Sequence, residues 1–214
     1  MKRRASIERV LPGHQKIGEH AHREAYLSPS GDIVKVGHSH RKKKIGPFRV
    51  NVPMRWQSII KFGRFNPNMA DFKNYKKYFA NAPEHLAGSF ARILRVEKKG
   101  GQSLLTMERV HDYNGNSSKT IEENGPISNE HFWKRFDEIV HWFRSNHVPF
   151  VGFSHNVMVK WVTTVHAIPV IIDYKATGWR HFPLQPWVWI PGQMERKMLR
   201  HYRKLKSEYK ARSN

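Results

Sequence analysis

The chain has 214 residues, of which 39% are hydrophobic and 12% aromatic, enough to bury the core of one domain or two small lobes and to exclude wholesale disorder. It contains no cysteine, which excludes disulfide bonds, cysteine-based zinc sites and a thiol nucleophile. With 38 Lys and Arg against 17 Asp and Glu, the formal net charge of +21 favours anionic partners without distinguishing nucleotides, nucleic acids, anionic lipid surfaces and acidic proteins.

The sequence shows no pattern typical of secretion or of membrane insertion. Its basic start, MKRRASIERVLPG, lacks the apolar segment of a signal peptide. No window approaches the roughly 18 consecutive apolar residues that a membrane-spanning helix needs. We therefore expect a soluble, cytoplasmic protein.

The first half of the chain is predicted to consist mainly of β-strands. Residues 24–27 and 33–36 alternate apolar and polar positions around a Pro-Ser-Gly-Asp turn, which is typical of a hairpin. The stretch GHSHRKKKIGPF that follows is polar and basic, and we interpret it as a loop. A second hairpin is predicted to turn at Gly100-Gly101, between two apolar runs.

One helix is predicted inside this β-rich half. Apolar residues at positions 69, 72, 75 and 79 recur at helical spacing, so we expect a helix over about residues 68–80. Asn68 can cap its start, and Pro83 closes the segment. Asp71 then has two interpretations: a first-turn carboxylate favoured by the helix dipole, or the acid of an ion pair that orients Lys35.

The second half of the chain is predicted to be mainly helical. Its clearest helix covers residues 129–146, which show an apolar stripe with charges on the opposite face. Two strand-like runs follow at residues 156–162 and 169–173, and a basic segment over roughly 192–210 is helical in composition. The order of elements predicts an α+β fold, with a β-rich part over residues 1–110 and a mainly helical part over residues 111–214.

Lys35 lies within a predicted strand, between Val34 and Val36. Its side chain therefore points to the face opposite the two valines. Two interpretations remain open, a solvent-facing edge lysine or a lysine that contacts phosphate. Ahead of it, Gly18 would let a turn approach a phosphate closely, and His20, His22 and Arg23 would add hydrogen-bond donors.

Asn156 and Asp173 are predicted to lie at one end of a hairpin. Asn156 begins one strand and Asp173 ends the next, in IPVIIDY, with a short connection over residues 163–167. The start of one strand and the end of its antiparallel neighbour lie at the same end of the hairpin. Amide and carboxylate oxygens suit Mg²⁺, so we favour a metal site over a turn-and-cap pair.

With these four residues in this order, the chain resembles the YrbL family (PhoP regulatory network protein), which has a protein-kinase-like fold. The similarity covers residues 17–202 and rests on five stretches: IGEHAHREAY with DIVKV, DFKNYKKYF, MERVHDYNGNSSKTI, SHNVMVKW and IPVIIDYKATGW. The resemblance implies a two-lobed fold with a minimal C-terminal lobe. It also implies an atypical ATP- and Mg²⁺-dependent phosphotransferase whose acceptor is a protein side chain, an envelope sugar or a small molecule.

The resemblance implies a role for each of these residues. Lys35 would hold the α- and β-phosphates of the nucleotide, and Asp71 would pair with it. Asn156 and Asp173 would hold the metal. The resemblance further places Gly18 in the loop over the phosphates, and Glu108 at the start of a hinge whose backbone faces adenine.

The chain departs from a kinase catalytic loop at several positions. Val151 occupies the place of the aspartate that accepts the substrate's proton, and Phe153 that of the usual lysine. Tyr174-Lys175 follows Asp173 instead of Phe-Gly. His155 is either a substitute base or a surface loop histidine. Asp112 is another carboxylate near the predicted lobe junction, for which a loop cap is the favoured interpretation.

These departures leave two further hypotheses open. One is a pseudokinase that binds nucleotide as a regulatory module. The other is a basic protein that binds polyanions through residues 41–44 and 196–212, with Trp187 and Trp189 available for stacking. Zinc binding by His38 and His40 is disfavoured, because two ligands on a basic loop make a poor site.

Overall fold

The computed structural model describes residues 7–20, 23–37, 40–45, 48–53, 67–174 and 192–210, with only the backbone described for residues 20, 40–45 and 48–53. It contains both helices and antiparallel sheets, so the predicted α+β class is confirmed. The chain divides into two compact units. Unit 1 comprises Met1–Lys73 and Arg92–Arg109, and unit 2 comprises Asn74–Ala91 and Val110–Asn214. Residues 74–91 therefore group with the second unit, whereas the sequence-based division placed them in the first.

Unit 1 is built around a five-stranded antiparallel sheet with the spatial order β1-β2-β3-β7-β6. The strands are β1 (Gln15–His20), β2 (Arg23–Leu27), β3 (Ile33–Gly37), β6 (Ile93–Lys99) and β7 (Gln102–Met107). A separate two-stranded hairpin consists of β4 (His40–Ile45) and β5 (Phe48–Pro53). Helix α1 (Ile7–Val10) and helix α2 (Pro67–Asn74), whose last residue already belongs to unit 2, complete the described part of this unit.

One face of the unit 1 sheet carries an apolar core. Alternation along β3 buries Val34 and Val36 on this face, and the short helix α1 contributes Val10 to the same cluster. The other members of the cluster are Leu11, Tyr26 and Leu104, with Ile7 packed against them. Lys35, between the two valines, therefore belongs to the opposite face of the sheet.

Both hairpins predicted in the first half are confirmed, as β2–β3 and as β6–β7. Strand β1 was not predicted, because its alternation is broken by polar residues on both faces. The interpretation of the basic stretch after β3 as a loop is wrong for His40–Ile45, which pairs with Phe48–Pro53. The partner strand contains Phe48, Val50 and Val52, residue types that favour strands and outweigh the polarity of the basic run.

Unit 2 combines helices with a three-stranded antiparallel sheet in the order β10-β9-β8. Its strands are β8 (Lys119–Thr120), β9 (Val157–Trp161) and β10 (Ala167–Ile171). Its helices are α3 (Glu84–Ala87), α4 (Ile121–Asn124), α5 (Glu130–Ser145), α6 (Phe153–Asn156) and α7 (Gln193–Tyr209). A π-helical turn, Tyr75–Phe79, continues from α2 and belongs to this unit.

Helix α5 forms the centre of the unit 2 core. The helix begins after an N-terminal cap that the sequence analysis did not name, since the Asn129 side chain accepts a hydrogen bond from the Phe132 backbone N–H. The apolar stripe is buried, and α5 packs against β10. The Trp133 indole N–H donates to the Ile127 carbonyl, so even the polar atom of this buried ring is satisfied.

Helix α7 closes the described part of the chain and confirms the predicted basic helix. Its apolar side buries Met198, Tyr202 and Leu205. Among the described residues, no helix has the length and apolar character required to cross a membrane.

Candidate functional site

Lys35 lies in the middle of β3, as predicted. Its neighbours across the sheet are Ala25 on β2 and Leu105 on β7. Leu105 is fully buried and Lys35 half-buried, so this face of the sheet is covered rather than open to solvent. Strand β3 is the central strand of the five-stranded sheet, so the interpretation of Lys35 as a solvent-facing edge lysine is excluded.

Asn68 attaches helix α2 to the sheet at Lys35. Its side-chain amide donates to the Lys35 carbonyl at 2.9 Å and to the Ser103 carbonyl at 2.7 Å. Its Oδ1 accepts a hydrogen bond from Arg23 at 3.3 Å. The predicted capping role of Asn68 is wrong: the helix begins at Pro67, and the buried Asn68 side chain satisfies strand carbonyls instead.

Asp71 lies one helical turn beyond Asn68 and is almost completely buried. Its carboxylate forms an ion pair and hydrogen bond with the Arg23 guanidinium, and the two side chains are 1% and 5% exposed. Arg23 was predicted to donate to a nucleotide. In the structure the Arg23 guanidinium bonds Asp71 and Asn68, so Arg23 connects β2 with α2, and its contact with a nucleotide stays a prediction. The pairing of Asp71 with Lys35 stays a prediction.

Gly18 lies within β1 and not in a turn. The register of β1 with β2 shifts between Lys16 and Gly18, which marks a bulge. A Cβ on Gly18 would meet no atom of the described residues within 4 Å, so their packing does not require a glycine here. Its role over the phosphates stays a prediction, and His22, predicted beside it, lies outside the described residues.

A charged network that the sequence analysis missed surrounds this bulge. Lys16 Nζ lies 2.7 Å from both Glu19 and Glu24, and hydrogen bonds to these carboxylates raise the pKa of Lys16 above its ordinary value. Burial, and then the hydrogen bond to Glu24, raise the pKa of Tyr26 to about 12. Lys16 is thus already paired and is a poor candidate for phosphate contact.

Glu108 lies at the last positions of unit 1, next to the division after Arg109. Its backbone N–H donates to the Arg92 carbonyl, and its carboxylate accepts from the Arg92 backbone N–H and from Nε at 2.8 Å. The Glu108 N–H is therefore occupied. The predicted contact of its backbone with adenine stays a prediction, for which the carbonyl is the remaining group.

Unit 2 brings Asn156 and Asp173 to the same end of one hairpin. Val157 at the start of β9 pairs with Ile171 at the end of β10. One residue further out, the Ile172 N–H donates to the Asn156 carbonyl at 3.0 Å. Asn156 ends helix α6 immediately before β9, and Asp173 follows β10 by two residues. The predicted hairpin is confirmed.

The backbone on both sides of Asp173 is fixed by buried contacts. Before it, Ile171 donates to the Ser89 carbonyl and accepts from the Ala91 N–H. After it, the buried Tyr174 donates its hydroxyl to the Ala91 carbonyl at 2.7 Å. Asn74 donates to the Tyr174 carbonyl. The apolar run that leads to Asp173 therefore embeds this acid between two anchored residues, and Asp173 itself is 7% exposed.

The residues present fit a magnesium ion that completes its coordination with substrate. Asp173 offers a carboxylate and Asn156 an amide oxygen, and Mg²⁺ commonly takes one or two protein oxygens together with phosphates and water. Within the described ranges, no group of three or more His, Asp or Glu side chains is arranged to hold a metal. A fully protein-ligated metal is therefore not indicated there.

His155 pairs with an acid that the sequence analysis missed. Its Nδ1 lies 2.7 Å from Glu122 Oε2, on the first turn of α4. The imidazole is exposed, which leaves Nε2 accessible. Glu122 is 33 residues away in the chain, so no local pattern connects it with His155.

The favoured interpretation of Asp112 as a loop cap is confirmed. Its Oδ1 accepts the Ser118 hydroxyl at 2.6 Å and the Trp161 backbone N–H at 2.9 Å. The neighbouring Tyr113 N–H donates to the Trp161 carbonyl, so the loop is fastened to the end of β9. Asp112 thus orders the loop before β8.

No protein-family model and no curated protein matches this chain. The resemblance to the YrbL family accordingly remains a hypothesis based on the residues themselves.

The two departures from a kinase catalytic loop have different surroundings. Phe153 is 2% exposed, and its ring centroid lies 5.1 Å from that of Phe150 and 5.6 Å from that of Phe136. It is a core residue, and a lysine at this position would bury an unpaired charge. Val151 is half-buried in the segment before α6.

Proposed function

We propose that the protein is an atypical ATP- and Mg²⁺-dependent phosphotransferase with a two-lobed protein-kinase-like fold and a minimal C-terminal lobe. The observation that carries this proposal is the convergence of Asn156 and Asp173 at one end of the β9–β10 hairpin. Kinases hold their metal with an asparagine of the catalytic loop and an aspartate that follows it.

The arrangement of unit 1 also supports the proposal. In kinases the phosphate-binding lysine lies on the third strand, and a helix supplies the acid that pairs with it. Lys35 lies on β3, and the following described helix, α2, is bonded to the Lys35 carbonyl by Asn68. Asp71 occupies the next turn of that helix. We propose that Lys35 binds the α- and β-phosphates and that Asp71 acts indirectly, by holding α2 against the sheet through Arg23.

Asn156 and Asp173 of unit 2 would hold the magnesium ion. When bound, this ion would neutralise charge on the nucleotide phosphates. In the transfer, the bond from the γ-phosphorus to the leaving oxygen of ADP breaks, and a bond to the acceptor oxygen forms. His155, oriented by Glu122 at Nδ1, would take the acceptor's hydroxyl proton at Nε2. Transfer depends mainly on positioning, so the missing aspartate at Val151 need not abolish it.

A pseudokinase is the second candidate. It is favoured by the buried, purely structural setting of Phe153, where a kinase carries a lysine. In that case the same residues would bind nucleotide without transferring phosphate.

If the protein is a phosphotransferase, the acceptor of the phosphoryl group would be a protein side chain, an envelope sugar or a small molecule.

We expect ATP with Mg²⁺ to stabilise the protein against heat, and Asp173→Ala to lose the magnesium-dependent part of that stabilisation. Ligand at 100 times its Kd contributes about 2.7 kcal/mol, which corresponds to roughly 5–10 °C in Tm for a chain of this size. The measurement is a thermal melt with ATP, with and without Mg²⁺, in which each variant is compared with its own ligand-free Tm.

The matched control is Asp32→Ala, which removes an acid from the β2–β3 turn. It should keep the full magnesium-dependent shift. An equal shift in Asp173→Ala and in the parent protein would contradict the proposed metal site. Transfer of labelled γ-phosphate to the protein itself, to proteins or to envelope extracts distinguishes the phosphotransferase from the pseudokinase.

A further inference from the structure

Helix α7 presents a row of arginines on its exposed face. Arg196, Arg200 and Arg203 follow at steps of four and three residues, so they lie on one side of the helix over about 10 Å. All three are exposed. Lys197 and Lys204 flank the row on one side. This arginine row, Arg196, Arg200 and Arg203, faces away from the buried side of the helix.

The charge of the arginine row is not neutralised within the described part of the chain. Neither its three members nor Lys197 forms an ion pair with a described carboxylate, whereas Lys204 lies 3.7 Å from Glu208. All 17 Asp and Glu side chains lie within the described residues, so the remaining segments contribute no further acidic side chain.

The titration of His201 reflects this local field. Partial burial lowers the pKa of His201, and the nearby positive charges of Lys197, Arg200 and Lys204 lower it further. Protonation of His201, which would add a further positive charge beside these cations, is thus disfavoured. An anion that approached it would relieve the repulsion among these cations.

The other side of α7 argues against a membrane as the partner. A helix that binds a bilayer surface inserts its apolar side chains. In α7 these side chains are used within unit 2: Met198 and Leu205 are buried, and the Tyr202 ring contacts Phe136 and Phe153 while its hydroxyl donates to Asp137. The exposed face carries the arginine row together with Lys197 and Lys204, and this density of positive charge suits a chain of phosphates in water.

We propose that the arginine row of α7 binds the phosphodiester backbone of a nucleic acid, independently of base sequence. Guanidinium groups match phosphate oxygens in a bidentate geometry, and arginine is preferred for this purpose over lysine. None of the three arginines is a residue of the proposed ATP site, so this proposal does not rest on that site. The partner would be DNA or RNA, both of which present a continuous phosphodiester backbone to the arginine row.

The test is fluorescence anisotropy of the full chain with a labelled 20-nucleotide single strand and a labelled 20-base-pair duplex, over a range of salt concentrations. Each phosphate contact contributes about 0.9 to the slope of log K against log salt for a duplex and about 0.7 for a single strand. We expect the triple variant R196Q/R200Q/R203Q to raise Kd by about tenfold or more and to reduce that slope by about 2–3.

The matched control is R95Q/K98Q/K99Q, which removes the same charge from exposed positions on β6. It should change Kd and slope far less than the α7 variant does. Circular dichroism checks that both variants fold. Equal weakening by the two variants, no weakening by the α7 variant, or binding only to phosphatidylglycerol vesicles would overturn the proposal.

Discussion

Replacing Asp71 by Asn is expected to destabilise unit 1 by about 3–5 kcal/mol, because it removes the carboxylate that is ion-paired with the buried Arg23 guanidinium. The pair is almost completely shielded from water, with side-chain exposures of 1% and 5%. A buried charge that loses its partner costs far more than an exposed one. The measurement is chemical denaturation of Asp71→Asn and the parent, followed by hydrogen exchange of β2 and α2.

The structure offers a matched exposed pair as the control. Arg144 Nε lies 2.7 Å from Glu195 Oε1, with side-chain exposures of 50% and 38%. Glu195→Gln should cost less than about 1 kcal/mol. If Asp71→Asn cost no more than Glu195→Gln, the buried pair would not be the main tie between β2 and α2.

A double variant separates the structural contribution of this pair from its contribution to nucleotide binding. Replacing both members with apolar residues, Arg23→Met with Asp71→Leu, should recover most of the lost stability, because the two buried charges of the pair are removed together. If Asp71 also orients Lys35, the folded double variant should still be stabilised less by ATP than the parent protein is. A full ATP response would limit Asp71 to the structural role.

Local patterns in the sequence predicted the elements well where their stabilising contacts are local. Helix α5, predicted from its apolar stripe, begins within one residue of the predicted start. The β9–β10 hairpin follows from two apolar runs and a short connection. In each case the interacting residues lie close together in the chain, so one short segment of sequence contains all of them.

The candidate site was predicted less completely, because its contacts join distant parts of the chain. Asn68 has the residue type of a helix cap, yet its side chain bonds carbonyls 33 and 35 residues away. The partners Arg23 and Asp71 are separated by 48 residues. Periodicity and capping rules describe one segment at a time, so they cannot identify such pairs. Lys35 and Asp173 could be proposed from the sequence because each lies at a recognisable place in a strand or hairpin.

The residue after Asp173 illustrates what the sequence left open. A kinase carries Phe-Gly there, and the chain has Tyr174-Lys175. Tyr174 is fully buried, and its hydroxyl donates to the carbonyls of Ala91 and Ile171. Compared with the phenylalanine of the kinase pattern, Tyr174 is an aromatic ring that is also hydrogen-bonded.

Phe79→Ala is expected to destabilise unit 2 by about 3–5 kcal/mol, because it opens a cavity in the aromatic cluster that holds Tyr174. Phe79 is 2% exposed, and its ring centroid lies 4.6 Å from that of Tyr174 and 5.3 Å from that of Phe90. Thermal or urea unfolding measures the loss. Tyr113→Ala, which truncates an exposed ring of the same unit, should change stability by less than about 0.5 kcal/mol.

The same variant tests whether this packing matters for the proposed metal site. Tyr174 adjoins Asp173, so a loosened Tyr174 ring should let the carboxylate move away from Asn156. At a temperature where Phe79→Ala is folded, we expect a weaker magnesium-dependent response to ATP, while Tyr174→Phe keeps the ring and should retain most of it. If Phe79→Ala lost stability but kept the full response, the aromatic cluster would support unit 2 without positioning Asp173.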